Sequence, residues 1–313
     1  MTEDITIRAM RESDLAAADH LYRLAFGTHF GLADPLAFRG DAALVRPRWR
    51  SYPDGGIVAE HGGTMIGTSF ASRWGSVGVL GPVSVHPEFW KRGIARLLLP
   101  ATLAVIDGWG CRLAGLFTFP QSATHLRLYQ AFGFWPRTLM PAVAKPVGGP
   151  HHVPGAAALS RRKDQAALVA ACRALCDAAF AGLDLGREIA LVLEDGLGEV
   201  VLLLEGEALA GFAICHTGAG SEGGSKTCAI KFALARPGAE AAARFARLVA
   251  ACEDFARSRG AGQIGTAVTT GRHQAYRLIC EMGFRTMLPG VAMHRPFDEG
   301  YDQPDLFALE DWR

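Results

Sequence analysis

A turn rich in lysine, arginine and glycine lies between an apolar strand and a helix, and its residue types suit the binding of a phosphate. The predicted strand, Val79–Val85, stops at Pro87, which has no N–H to continue a ladder. The next helix begins with Lys91-Arg92-Gly93-Ile94-Ala95-Arg96. The first N–H groups of a helix have no partner within it, and the helix dipole favours an anion there. Gly93 lets the backbone approach a bound phosphate closely, and Lys91, Arg92 and Arg96 add positive charge. We therefore predict that this turn is a phosphate cradle.

This stretch resembles the acyl-CoA-binding signature of the GNAT N-acyltransferase superfamily, in which Gln/Arg-x-x-Gly-x-Gly/Ala follows a Val-x-Val-x-Pro strand end. The sequence here is Val83-Ser84-Val85-His86-Pro87, followed by Trp90-Lys91-Arg92-Gly93-Ile94-Ala95, with Trp90 in place of Gln or Arg. A second stretch resembles the family helix Asn-x-x-Ala-x-x-Leu-Tyr-x-x-x-Gly-Phe. It matches at Leu128-Tyr129 and Gly133-Phe134, with Ser122 and His125 in place of Asn and Ala.

The resemblance implies that acetyl-CoA, or a related acyl-CoA, is the cofactor and co-substrate. Its phosphates would lie at the residues from Lys91 to Arg96, which include Arg92, Gly93, Ile94 and Ala95. Its pantetheine arm would follow the strand edge at Val83, Ser84 and Val85, where the family's strand splays from its neighbour and a main-chain N–H polarises the thioester carbonyl. Ser122 is grouped with these cofactor-binding residues.

Tyr129 is the general acid that the resemblance implies. A phenol near the sulfur can hydrogen-bond the developing negative charge and then protonate the departing thiolate. The alternative is that Tyr129 only packs its ring under the sheet. The matched residue in the second half of the chain, Ile279, cannot donate a proton.

The sequence does not decide which group removes the proton from the amine. His86 precedes Pro87 and is interpreted as a turn residue rather than the base. His125 lies one helical turn before Tyr129 on the same face, so it either relays a proton or packs. A base that acts through water is an equal alternative.

Candidate acceptor-binding residues lie on two segments. His29 and Asp34 belong to the loop after the first helix, where GNAT relatives contact acceptors. Arg73 and Trp74 end a strand that we expect beside the same cleft, where they would recognise an anionic or aromatic acceptor. Small polyamines, antibiotics, amino acids and peptide N-termini all remain open as acceptors.

Hydrophobic periodicity places these residues on a mixed α/β frame. Strands are predicted at Ile5–Ala9, Gly56–Glu60, Thr64–Ser72, Val79–Val85, Leu113–Phe119 and Arg137–Val143. Helices are predicted from Asp14 to Phe26, from the phosphate cradle to about Gly108, and over Ala123–Phe132. This order predicts an α/β fold, a mixed sheet flanked by helices.

The second half of the sequence repeats the first. An ungapped shift of 150 residues carries Pro87 onto Pro237, Gly110 onto Gly260 and Gly133-Phe134 onto Gly283-Phe284. Self-similarity at this length predicts two tandem GNAT folds. We place the first domain at residues 1–146 and the second at residues 147–313, with a linker over Ala144–Gly155.

The second copy lacks the residues of the cradle. Positions 90, 93 and 95 become Glu240, Ala243 and Phe245. A carboxylate at a phosphate-binding helix start repels the ligand, and phenylalanine is bulky where the backbone must approach. We therefore predict that the first domain binds the cofactor and that the second domain supports it.

Composition limits the class of protein. The chain has 313 residues, is 50% hydrophobic and carries a net charge of +1, which gives no electrostatic case for nucleic acid. The polar N-terminus argues against a signal peptide, and the apolar runs are too short to span a bilayer. Of the seven cysteines, Cys172 and Cys176 lie one helical turn apart, a spacing that suits a metal pair, but only Asp177 is close by and no His completes a site. The cysteines are therefore interpreted as buried thiols in a reducing cytosol, which predicts a cytoplasmic protein without a metal.

These features predict an N-acetyltransferase that moves an acetyl group from acetyl-CoA to a primary amine of a small molecule or peptide. The alternative, favoured by Trp90 and by the lack of an evident base, is a non-catalytic acyl-CoA-binding or regulatory protein. We expect a monomer or homodimer.

The acidic tail from Phe297 to Arg313 carries Phe307, Leu309 and Trp312. The tail either frays or docks on the body of the protein, and one hypothesis is that it reaches the cleft of the first domain.

Overall fold

The computed structural model describes residues 4–313, which form two mixed β-sheets with flanking helices. The strands are β1 (Ile5–Ala9), β2 (Gly56–His61), β3 (Thr64–Trp74), β4 (Val77–Val85), β5 (Leu113–Thr118), β6 (Trp135–Leu139), β7 (Ala142–Pro146), β8 (Ala156–Ala158), β9 (Gly198–Glu205), β10 (Ala208–Gly218), β11 (Gly224–Ala235), β12 (Gln263–Ala267), β13 (Arg285–Leu288), β14 (Val291–Arg295) and β15 (Ala308–Glu310). The helices are α1 (Leu15–His29), α2 (Val45–Ser51), α3 (Ile94–Gly108), α4 (Ala123–Gln130), α5 (Gln165–Ala179), α6 (Gly186–Glu194), α7 (Ala241–Ser258) and α8 (His273–Glu281). Within residues 4–313, no helix is long and apolar enough to cross a membrane.

The two sheets are built to one plan, which confirms the predicted α/β class and the duplication. The first has the order β1-β2-β3-β4-β5-β14-β6, and the second has the order β8-β9-β10-β11-β12-β7-β13. The parallel pairs are β4 with β5 and β11 with β12. They start from Val77 opposite Leu113 and from Thr227 opposite Gln263, which are equivalent positions at the offset seen in the sequence.

The two halves exchange one strand. β7 pairs with β12 and β13 in the second sheet, and β14 pairs with β5 and β6 in the first. The single strand predicted over Arg137–Val143 is in fact two, β6 and β7, with Met140 and Pro141 between them; Pro141 has no N–H to continue the ladder. The predicted linker accordingly begins after Pro146 rather than at Ala144. A boundary at residue 146 divides the sequence into two halves, but each sheet includes one strand from the other half.

An apolar core joins the halves. Trp74 and Val77 of the first half pack in one cluster with Ile214 and Phe232 of the second, and the rings of Trp74 and Phe232 lie 5.8 Å apart. Burying apolar surface from both halves favours their association, since that surface leaves water only when they are packed together.

Candidate active site

The first sheet opens between β4 and β5. The two strands pair only from Val77–Leu80 with Leu113–Leu116, after which β5 continues beside β14 and β4 continues beside β3. The edge of β4 from Gly81 to Val85 therefore faces a gap. A cavity of about 640 Å³ occupies this gap, and Val83 and Val85 line it.

The turn before α3 forms one end of the cavity. Lys91 and Gly93 have left-handed backbone conformations, with φ angles of 62° and 84°. Among residues 4–313, no group accepts a hydrogen bond from the N–H of Gly93, Ile94 or Ala95. Alternating backbone conformations of this kind, at a helix N-terminus, turn several N–H groups toward one point and suit an anion.

The side chains around this turn fit the same ligand. Lys91 and Arg96 line the cavity, whereas Arg92 lies outside the lining with its guanidinium 5.2 Å from the ring centre of Phe89. Trp90, which departs from the GNAT signature, folds back so that its indole N–H donates to the carbonyl of Val85 at 2.7 Å. The turn therefore presents two cations and three free N–H groups to the cavity.

Besides Arg92, two predicted cofactor residues lie outside the lining. Ser84 is 1% exposed and sits between Val83 and Val85 in β4. The hydroxyl of Ser122 accepts a hydrogen bond from the N–H of His125 at 3.3 Å and so caps α4. The side chain of Ser122 thus fixes the start of the helix that carries Tyr129.

Tyr129 lies on α4 and lines the cavity from the side of the sheet opening. Its ring packs against Phe134, with centroids 6.4 Å apart, and its hydroxyl makes no hydrogen bond to any residue in 4–313. Burial raises the pKa of Tyr129 to about 12. The phenol therefore stays protonated at neutral pH, with its proton available to a ligand.

Two histidines border the cavity beyond Tyr129. His29 ends α1 and His125 lies in the first turn of α4, with ring centres 5.7 Å apart and the ring of Phe119 against both. Burial, with the neighbouring His29, lowers the pKa of His125. His125 is consequently neutral near pH 7, and its Nδ1 is buried without a partner in the described chain.

The profile of the acetyltransferase (GNAT) family matches residues 15–134. This segment carries the sheet opening, the turn before α3 and Tyr129. Over this segment, the first half of the chain is similar to the GNAT family. Comparison with curated protein sequences gives no significant match.

Solved structures extend the GNAT fold to the whole chain. A candidate acetyltransferase from Pyrococcus horikoshii superimposes with a TM-score of 0.72 at 13% identity, over 99% of this chain and 95% of that one. A GCN5-related N-acetyltransferase from Sphaerobacter thermophilus gives 0.61 at 15% identity, over 93% and 95%. A tandem GNAT protein from the clavulanic acid biosynthesis pathway gives 0.61 at 13%, over 93% and 98%. At these identities the likeness establishes the fold of both halves.

The second GNAT unit has the same sheet opening, but its own chain fills it. β11 and β12 pair only from Thr227–Ala229 with Gln263–Gly265. Beyond that point, β15 from the C-terminal tail pairs with β11 at Phe232–Leu234. α7 begins at Ala241, so the residues that match the turn before α3 are already helical and leave no comparable turn.

The side chains of the second unit complete this difference. Phe245 is fully buried against Phe307 of the tail, with ring centres 5.5 Å apart. Arg272, in the position of Ser122, is fully buried and binds Glu310 of β15. Ile279 is fully buried in the position of Tyr129.

The structure does not bring Arg73 and Trp74 to the cavity. Trp74 is 1% exposed in the core between the halves, where its indole N–H donates to Glu188 at 3.1 Å. Arg73 is exposed, and its Nε donates to the carbonyl of Gly75. Their strand, β3, continues past the opening toward α6, so neither belongs to the acceptor site that we propose.

His86 and Asp34 have local structural contacts. Nδ1 of His86 accepts from the N–H of Glu88 at 3.4 Å, which caps the short turn at Pro87–Phe89. A carboxylate oxygen of Asp34 accepts from the N–H of Leu36 at 3.1 Å in a similar cap. Neither residue lines the cavity.

The sequence reasoning missed most of the cavity's far wall. Phe26, Phe38, Arg39 and Leu288 line it, and Trp312 and Arg313 close it from the tail. The tail therefore does reach the cleft of the first unit. The cluster of Phe307, Leu309 and Trp312 was the available signal, since an apolar end to an acidic tail indicates docking.

Arg48 holds the end of the tail in place. This residue of α2 is 4% exposed, and it donates to the carbonyl of Gly81 in β4 at 2.6 Å and to the carbonyl of Arg313. Its Nε lies 3.6 Å from a carboxylate oxygen of Glu222, which is also bound by Lys231 at 2.8 Å. Burial raises the pKa of Glu222, but Lys231 and Arg48 outweigh it and lower the value to about 2. One buried cation thus joins the sheet opening, the tail and the second unit.

Proposed function

We propose that the first GNAT unit transfers an acetyl group from acetyl-CoA to a primary amine. The observation that carries this proposal is the open wedge between β4 and β5, with an anion-binding turn at one end and the unpaired hydroxyl of Tyr129 inside. The second unit is proposed to act as a support, since its wedge contains β15.

The residues present suit acetyl-CoA as co-substrate. The N–H groups of Gly93, Ile94 and Ala95, with Lys91 and Arg96, would hold the phosphates. The edge of β4 at Val83–Val85 has no partner strand on the side of the gap. Apart from the carbonyl of Val85, which accepts from Trp90, it offers main-chain groups to the amides of the pantetheine arm, as an edge strand does to an added strand. Bound acetyl-CoA would supply an acyl group already activated as a thioester.

The transfer forms a C–N bond and breaks a C–S bond. The amine nitrogen gives up one proton, and the leaving sulfur gains one. Tyr129 is the proposed donor to sulfur, because its hydroxyl is protonated, unpaired and inside the cavity. His29 and His125 are the proposed route for the amine's proton, directly or through water. Holding the amine against an activated ester supplies much of the rate gain, so no covalent enzyme intermediate is required.

Titration of acetyl-CoA by calorimetry tests the cofactor assignment. We expect one site per chain and its loss in Gly93→Glu, which puts a carboxylate among the free N–H groups and a side chain at a φ of 84°. The matched control is Ala243→Glu, the equivalent exposed position in α7, which should bind as the wild type does.

Two outcomes would overturn the proposal in different ways. Binding that survives Gly93→Glu but is lost in Ala243→Glu would move the cofactor to the second unit. Binding with no acetyl transfer to any amine in a screen would favour the alternative of a non-catalytic acyl-CoA-binding protein.

A further inference from the structure

The end of the cavity beyond Tyr129 is built from aromatic side chains. We call it the acceptor chamber and define it by Tyr22, Phe26, Phe30, Phe38, Phe119 and Trp312. The rings other than that of Trp312 form a chain of contacts: Tyr22 packs against Phe26 at 5.0 Å, Phe26 stacks on Phe38 at 5.8 Å, Phe30 stacks on Phe38 at 5.6 Å, and Phe30 meets Phe119 edge-on at 5.8 Å. Such walls bind flat or hydrocarbon groups through dispersion and burial of apolar surface.

Among residues 4–313, no acidic side chain lines the cavity. Two buried carboxylates outside the lining already have partners. Asp311 binds the guanidinium of Arg313 at 2.5 Å, and Glu222 binds Lys231. Arg39, which lines the chamber, adds a positive charge. A second ammonium group on a ligand would therefore lose its hydration without gaining a counter-ion.

The two histidines do not supply that missing negative charge. His29 and His125 face each other across Phe119, and imidazole is either neutral or cationic. They can take one proton from an entering amine, whereas a further ammonium meets no Asp or Glu side chain among the described residues that line the cavity. Phe30, 40% exposed, forms part of the chamber wall on a loop that also exposes Leu32 and Leu36, so the approach to the chamber is apolar as well.

We infer that the acceptor is a primary amine carried on an apolar, preferably aromatic, body with no second positive charge. This inference rests on the proposed function, because it assumes that the chamber receives the acceptor beside the bound thioester. It excludes polyamines and polycationic antibiotics, two of the classes that the sequence left open.

Binding of matched amines to the protein saturated with CoA tests the inference without requiring turnover. Hexylamine and cadaverine have the same length, and an ammonium group in cadaverine replaces the terminal methyl of hexylamine. By calorimetry we expect hexylamine to bind at least about 100-fold more tightly, with phenethylamine at least as tight as hexylamine. Equal or tighter binding of cadaverine, or no binding of any of the three amines, would overturn the inference.

A charged variant at the edge of the chamber tests the electrostatic reason. Phe30→Asp introduces a carboxylate at a partly exposed position, and the uncharged control Phe30→Asn removes the same ring. We expect Phe30→Asp to reduce the preference for hexylamine by about fivefold or more, and Phe30→Asn to weaken both amines without changing their ratio. An equal change in the ratio for both variants would show that packing, and not charge, sets the preference.

Two further measurements separate this inference from the proposed function. If acetyl transfer proceeds but cadaverine is the better acceptor, the acceptor class is wrong and the activity stands. If the amines bind in the expected order but none is acetylated, the activity is wrong and the chamber's ligand class stands. Tighter binding of octanoyl-CoA than of acetyl-CoA, with exclusion of phenethylamine, would assign the chamber to the acyl chain and overturn the inference.

Discussion

The two sheet openings start from the same geometry and end differently. In the first unit, β4 and β5 separate after Leu80 and the gap is a cavity. In the second, β11 and β12 separate after Ala229 and the gap holds β15. The main-chain groups exposed by a splayed pair of strands must find partners. The second unit finds them in its own tail, and we propose that the first unit finds them in a ligand.

The difference extends to the residues around each opening. In the first unit, α3 begins at Ile94 and follows a turn with free N–H groups. In the second unit, α7 begins about one helical turn earlier in the aligned sequence, so the residues equivalent to that turn are part of the helix. Tyr129 is replaced by Ile279. A strand that closes the gap makes both the proposed phosphate-binding turn and the proposed acid superfluous, and α7 and Ile279 provide no counterpart to either.

The largest expected effect is a loss of catalytic rate when Tyr129 of the first unit is substituted, with no such loss for a tyrosine of the second unit. We expect Tyr129→Phe to lower kcat by about 10²- to 10⁴-fold with little change in acetyl-CoA binding, the range typical for loss of a general acid. Steady-state kinetics with the amine that binds best, together with calorimetry, measures both quantities. The matched control is Tyr276→Phe on α8, the equivalent helix of the second unit. An unchanged kcat in Tyr129→Phe would leave Tyr129 with a packing role.

A smaller effect concerns the strand that fills the second opening. Leu309 is fully buried in β15, and we expect Leu309→Ala to lower the free energy of unfolding by about 2–5 kcal/mol through lost burial and a residual cavity. Urea unfolding measures this cost. The stoichiometry of acetyl-CoA should remain one, because Phe245, Ile279 and the early start of α7 still block the second unit. Appearance of a second site would mean that β15 alone distinguishes the units.

The sequence predicts the parts of the site that depend on local spacing. Gly93 and Lys91 lie in a strand-turn-helix segment, and Tyr129 lies in a short helix, so their arrangement follows from neighbouring residues. The far wall depends on long-range pairing instead. Trp312 reaches the cavity only because β15 pairs with β11, and Trp74 is drawn into the core between the halves by contacts with Phe232.

The strand exchange could not be read from the sequence for a related reason. β7 and β14 occupy equivalent positions in the two copies, and each is a short, mainly apolar strand that suits either sheet. Which sheet each joins is decided by how the halves pack, and no single residue signals it. The offset between the copies, in contrast, depends on many matched residues, and the first residue pairs of the two parallel strand pairs, Val77–Leu113 and Thr227–Gln263, are related by the same offset.

The smallest expected effect concerns the ionic cluster that connects the two openings. His216 of β10 is 1% exposed, near Arg48, Glu222, Lys231 and Asp311, and both of its ring nitrogens are buried without partners among the described residues. Burial lowers the pKa of His216 to about 4. Between the ordinary histidine value, near pH 6.5, and about pH 4, the unfolded chain therefore binds a proton at this position that the folded chain does not.

Stability should consequently fall as the pH decreases through this window. For His216 alone, the loss is about 1 kcal/mol by about pH 5.5 and approaches about 3 kcal/mol near pH 4. Urea unfolding of His216→Phe should show a shallower decrease than the wild type, and His20→Gln, at an exposed position of α1, controls for removal of a histidine. An identical pH dependence in wild type and His216→Phe would show that His216 gains its proton in the folded state. In that case Glu222 and Asp311, rather than burial, would set the charge of the cluster that holds the tail against the first opening.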